Sequence, residues 1–487
     1  MRQGKVLLKN LIFYLINLIF LSIFFIWTVY NWDEREIIND FNMPIFIWIC
    51  LLAIVQFISF YLKNISKYNF CFWFIILSYP FMFGYLFRDL FFLQTSLLWN
   101  PITNYSQLEL YHTYLYVIGS MELFSLGYLL RYQSNGLLNS HISETHCLGN
   151  SFSDSKDYNV FSIGRIFFVI GSIFTLSHDL PIILFMQAAN TYESYSNAVS
   201  SGISGSLALF MLPGVFFLFF SGYLRRSTKN ALFIIVLIYL LLFMMLTGSR
   251  KTQIFSILSL VLGYSASNLQ HNISIRKVFR AIVITLFTFI LFTLLITIRE
   301  YRFNLGNLAN GFITNLVSFN SLLMIIGEVI AETGLTGLSV ASIISVVPDY
   351  LPYQYGTTFF RMIPSVLPVG WILKDFFSQA SSTYVINLYT GIPVGASMFG
   401  DLYWNFGYLG IVFAFAMGML FDHLLERRVR QSNTDNFRFN VAMYFSLFSI
   451  LIILVRSEFF DVFRPLIYVL VSSYLLRRYL RKYKGRN

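Results

Sequence analysis

Apolar runs approaching twenty residues recur along the whole chain, separated by short polar linkers. A helix must cross about 30 Å of hydrocarbon with every backbone group bonded internally, so runs of this length predict membrane spans. Twelve are expected, near residues 11–30, 43–62, 70–87, 111–130, 161–185, 206–224, 231–247, 252–266, 281–298, 406–425, 441–455 and 466–476. The weak ten-residue alternation of a membrane barrel is missing. The pattern therefore predicts an all-α polytopic membrane protein in three parts. These are a nine-helix part, 1–298, a large outer loop with short helices, 299–405, and a three-helix part, 406–487, that ends in a basic tail. The first apolar stretch has the basic start of a signal peptide but no small-residue cleavage site around Trp27 to Trp32, so it is read as the first helix.

Composition supports the membrane reading, with 57% hydrophobic and only 12% charged residues in 487. The net charge of +11 does not point to nucleic acid, because the basic residues sit beside apolar spans and in the tail, where they set topology and touch anionic lipid. With both termini on the cytoplasmic side, the inner segments hold 24 of the 34 lysines and arginines. Eight of the ten outer exceptions are arginine: Arg35, Arg88, Arg250, Arg299, Arg302, Arg361, Arg456 and Arg464. A planar fork that binds phosphate or carboxylate at two points accounts for that preference, and pairing with outer acids is the alternative. Cys50, Cys71 and Cys147 have no metal or disulfide spacing. The Ser- and Asn-rich stretch 131–159 reads as an inner linker.

Three places could carry chemistry. In the run 246–253, LTGSRKTQ, a tight turn at Gly248 sets Arg250 at the rim of two short spans, beside a helix start that suits a phosphate oxygen. In the run 298–302, IREYR, Arg299 and Arg302 share a face if the helix continues. In the outer loop, residues 321–347 are largely apolar, carry Glu328 and Glu332, and predict helices that lie against or dip into the bilayer. Prolines 348, 352, 364 and 368 then divide the chain before Asp401. Familiar site patterns fail. The six histidines form no metal motif, and no DxD lies in the outer loop. His178 beside Asp179 reads as a helix-end hydrogen bond, and Glu122 as a buried acid paired with a polar neighbour. No metal or cofactor is expected.

In order, Gly248-Ser249-Arg250, Glu332-Thr333-Gly334, Pro348, Tyr353-Gln354-Tyr355-Gly356, Pro364 and the run from Ser397 through Asp401, Tyr403, Asn405-Phe406-Gly407 to Gly410 resemble the Wzy-type O-antigen polymerases. The resemblance implies a GT-C-like, metal-independent glycosyltransferase in the inner membrane. It would transfer a growing glycan from undecaprenyl diphosphate to the next undecaprenyl-diphosphate-linked repeat unit, with a chain-length co-polymerase as partner. It further implies that Arg250, Arg302 and Arg361, supported by Arg299, hold the diphosphate. Asp401 and Glu332 are then the catalytic acids, although Asp401 stands where glutamate is the more frequent residue and either acid could instead orient an arginine. Two alternatives differ in their signatures. An O-antigen ligase would place a histidine in the outer loop, and this loop has none. A flippase or other transporter would line a midplane cavity with charge.

Overall fold

The computed structural model describes residues 2–91, 104–130, 132, 157–189, 203–247, 251–268, 319–367, 374–391, 395–432 and 434–484. Among these the secondary structure is helical throughout. In chain order the principal helices are α1 (Arg2–Tyr30), α2 (Asn42–Leu62), α3 (Phe70–Leu90), α4 (Gln107–Leu130), α5 (Tyr158–Ala189), α6 (Ile203–Ala208), α7 (Met211–Phe220), α8 (Arg226–Thr247) and α9 (Lys251–Ser267). They are followed by α10 (Phe319–Val346), α11 (Thr357–Met362), α12 (Ser382–Thr390), α13 (Met398–Phe406), α14 (Gly410–Asp422), α15 (Thr434–Leu451) and α16 (Phe459–Lys484).

Ten helical segments among the described residues are long and apolar enough to cross a membrane, and Ser204–Phe220 and Thr252–Ser267 are shorter apolar helices. Eleven of the twelve predicted spans thus coincide with apolar helices; the span predicted at 281–298 lies outside the described residues. The one remaining long segment, Val329–Val346, belongs to the stretch assigned from sequence to the outer loop. The helix expected there exists as the single element α10, and by length and hydropathy it qualifies as a span. The predicted spans at 406–425 and 466–476 are also parts of longer segments, Met398–Arg430 and Phe459–Lys482.

The bundle closes through glycines that let backbones touch, the device that membrane helices use where apolar burial gives no preference for a partner. A Cβ built on Gly337 of α10 would lie 2.1 Å from the Met82 carbonyl oxygen of α3. One on Gly127 of α4 would lie 2.1 Å from the Phe415 carbonyl oxygen of α14. Aromatic rings fill the space around these crossings: Phe74 and Phe124 lie 4.7 Å apart, and Phe70 and Phe448 meet edge to face at 5.4 Å. Glu122 is buried in α4, with Ser125 Oγ 3.5 Å from one carboxylate oxygen.

With the starts of α13 and α16 set at the top, polar groups collect at the two ends. At the lower end a single π-helical turn, His423–Arg427, brings Glu426 under Asn69 Nδ2 at 2.8 Å and Tyr444 Oη at 3.1 Å. There Arg430 grips Asp422 through both carboxylate oxygens at 2.6 and 2.8 Å. The upper end carries the predicted site residues that the structure describes on α11 and α13.

Candidate active site

The upper end is assembled around one side chain, Asn405, which is fully buried at the end of α13. Its Oδ1 accepts from the Gly356 amide at 3.0 Å and the Thr358 hydroxyl at 2.9 Å, and its Nδ2 donates to the Asp401 carbonyl at 2.8 Å. Backbone bonds run alongside: Gln354 N donates to Trp404 O at 3.0 Å and Tyr355 N to Asn405 O at 2.9 Å. The runs YQYG and NFG, fifty residues apart in sequence, are therefore one joint. Glycine is needed on both sides of it. Gly356 starts α11 at φ +85°, and Gly407 turns the chain between α13 and α14 at φ +58°, with Tyr353 against it where a Cβ would lie 2.9 Å from the ring. Tyr353, Tyr403, Tyr408 and Tyr116 stand ring to ring around the joint, and Tyr116 donates to the Phe399 carbonyl at 3.1 Å.

Three helix starts converge beside it. Asp401, 6% exposed, is in the first turn of α13 and accepts the Phe459 amide of α16 at 2.7 Å. Its other oxygen accepts from the Ser382 hydroxyl of α12. Glu458, just ahead of α16 and 4% exposed, takes Ser381 Oγ at 2.7 Å, Ser382 Oγ at 2.9 Å and the Thr383 amide at 3.1 Å. Each acid thus caps a helix other than its own, and Ser382 lies between them. Helix N-termini present unpaired amides and positive dipole ends, which offset the cost of burying two carboxylates.

Three arginines stand around this centre. Arg361, in the last turn of α11, is partly buried and donates to the Gln379 carbonyl at 3.3 Å. Arg464 Nε on α16 donates to the Ser365 carbonyl at 2.6 Å, just beyond α11. Arg456 stacks over Phe81 at 5.9 Å. Of the six site residues expected from sequence, Asp401 and Arg361 come to this end on neighbouring elements. Glu332 is partly buried on α10, whereas the groups that bond to the Asp401 carboxylate among the described residues come from α12 and α16. Arg250, Arg299 and Arg302 lie outside the described residues, as does the whole run 298–302. Around the first of these, α8 ends at Thr247 and α9 starts at Lys251. Among the described residues no three His, Cys, Asp or Glu side chains gather as metal ligands. His178 and Asp179 do meet, at 2.8 Å, and Tyr239 of α8 donates to the same carboxylate.

Glu458 is the residue that sequence reasoning passed over. Hydropathy starts the last span only beyond Pro465, whereas the helix begins at Phe459, so the run RSEFFD falls at a helix start rather than in a linker. An acid immediately before a membrane helix, between Arg456 and Asp461, was the available signal.

The architecture is that of an all-α polytopic membrane protein with capped carboxylates and arginines gathered at one end of an apolar bundle. A family model described as O-antigen polysaccharide polymerase Wzy matches residues 12–484, nearly the whole length, and the chain belongs to that family. Membership makes it a glycosyl-transferring membrane enzyme of O-antigen polysaccharide synthesis. No curated protein and no solved structure matches the chain.

Proposed function

We propose that the chain joins undecaprenyl-diphosphate-linked oligosaccharide repeat units into O-antigen-type polysaccharide at the outer face of the cytoplasmic membrane, without a metal ion. The observation that carries this reading is the family match across residues 12–484. The distribution of lysine and arginine favours placing the upper end outside and both termini in the cytoplasm. In each cycle the bond between the anomeric carbon of the growing glycan and its lipid diphosphate breaks. A bond forms from that carbon to a hydroxyl oxygen on the non-reducing end of the next lipid-linked unit, the hydroxyl proton passes to a base, and undecaprenyl diphosphate leaves.

Arg361, together with Arg250, Arg299 and Arg302, neutralises the leaving diphosphate, and fixed positive charge at that point supplies much of the acceleration. Both Asp401 oxygens are already engaged by Ser382 and the Phe459 amide, which favours a positioning role: Asp401 and Glu458 fix α12, α13 and α16 around the reacting groups. Glu332 is then the remaining candidate for the acceptor proton. A chain-length co-polymerase is the expected protein partner.

Deleting the gene and examining the surface polysaccharide tests the reading. A polymerase mutant carries core capped with a single repeat. Bare core with long lipid-linked chains would indicate a ligase, and repeats trapped on the inner leaflet a flippase.

A further inference from the structure

A second polar feature of the upper end lies away from the capped acids. A cavity of about 420 Å³ opens where the segment before α4, the C-terminal end of α10 and the C-terminal end of α12 meet. Three tyrosines line it, Tyr105, Tyr350 and Tyr389, with Asn104, Ser345 and Thr390 between them, and none of the described lining residues is charged. The volume is within the range of about 300–1,000 Å³ that small-molecule sites occupy. Tyr105 is fixed by a 2.6 Å hydrogen bond between its hydroxyl and Ser342 Oγ. Tyr350 and Tyr389 are 74% and 55% exposed, so two rings stand open to a ligand.

We propose that this cavity binds a neutral segment of the glycan chain, as a subsite remote from the reacting bond. The inference rests on the polymerase reading above. Open ring faces match the C–H faces of pyranose rings, and amide and hydroxyl side chains match their hydroxyls. A diphosphate would call for cations, which the described lining does not supply. An aromatic belt at a lipid surface would present its rings outward, whereas these border a concavity furnished with Asn104, Ser345 and Thr390. The cavity also has a defined distance from the acids. Helix α12 starts at Ser382, which bonds to Asp401 and Glu458, and ends at Thr390, which lines the cavity. Eight residues at 1.5 Å each separate them by about 12 Å. A chain held there is gripped some sugars away from the bond being made, which favours retention of longer chains.

The test uses full-length protein in detergent and lipid-free polysaccharide fragments, released by mild acid from the host's own lipopolysaccharide and sorted by repeat number. Wild-type affinity is expected to rise with repeat number until the cavity is spanned, and Tyr350→Ala and Tyr389→Ala to weaken longer fragments roughly two- to tenfold each, the scale of a lost ring contact. Tyr389→Phe keeps the ring and is expected to restore most of the binding. In cells the alanine variants are expected to shorten the modal chain at normal protein level. Both rings are exposed, so an unchanged elution profile establishes that the variants fold; if the alanine variants do not elute normally, Tyr389→Phe set against Tyr389→Leu decides. Wild-type fragment binding by the double alanine variant overturns the proposal. So does a loss confined to retention in lipid vesicles, which would assign the rings to the bilayer. Either result leaves the polymerase reading standing, which only the gene deletion can remove.

Discussion

Asn405→Ala strikes the joint on which the upper end depends. The substitution removes three hydrogen bonds of 3.0, 2.9 and 2.8 Å and leaves the buried Gly356 amide without its acceptor. The first two of these cross between the segments and the third is internal to α13, so at about 1 kcal/mol net per bond the loss is about 2 kcal/mol, or roughly thirtyfold in the equilibrium that docks the 353–358 segment on α13. Arg361 lies three residues beyond Thr358 on the same short helix, so its position depends on that docking. Hydrogen exchange on detergent-solubilised protein reads the change directly. The Tyr355 and Gly356 amides are expected to exchange about thirtyfold faster while amides in the middle of α4 keep their protection, and chain extension is expected to fall in step. Thr358→Val removes one bond only and is expected to give about a fivefold effect. Unchanged exchange at Tyr355 and Gly356 in Asn405→Ala would mean that the joint is held by something other than this side chain.

Two further substitutions test the packing and the capped acids. Gly337→Ala pushes a methyl group into the Met82 carbonyl and is expected to lower the melting temperature by an amount equivalent to about 1–3 kcal/mol, whereas Gly395→Ala, with nothing within 4 Å of the added carbon, is expected to be near neutral. Equal melting temperatures would mean that α3 and α10 can separate without cost. Glu458→Ala strips the acceptor from Ser381 and the Thr383 amide and leaves Ser382 only Asp401, so proteolytic cleavage around α12 is expected to quicken by about tenfold or more, and Glu458→Gln, which keeps an acceptor, to lie nearer wild type. Identical cleavage in all three proteins would show that α12 is anchored elsewhere.

How much of this was legible in the sequence depends on the kind of signal. Apolar runs located every described span-length helix except α10, because hydrocarbon leaves the backbone no alternative. The same rule could not separate α10 from the loop around it: Glu328, Glu332 and small residues dilute its hydropathy, and its place against α3 rests on Gly334 and Gly337, whose contacts are with residues some 250 positions earlier. Motif order brought together YQYG and NFG without explaining why. The reason, a buried asparagine spanning two segments, is a tertiary fact with no local pattern. Asp401 was found through its motif, but its engagement by Ser382 and the Phe459 amide depends on three separate helix starts meeting. Glu458 was missed because Pro465 and the charges of RSEFFD hid the true start of α16.

Glycosyl transfer driven by protein cations at the upper end is tested most directly by one reconstitution. Purified protein in lipid vesicles is supplied with undecaprenyl-diphosphate-linked repeat units and excess chelator, and both the glycan ladder and the released undecaprenyl diphosphate are measured. The expected result is a ladder that survives the chelator, one lipid diphosphate released per bond formed, and a severe loss of both in Arg361→Lys, whose single ammonium cannot replace a two-point fork. A ladder that vanishes with chelator and returns with a divalent ion, or one that Arg361→Lys leaves unchanged, would contradict it.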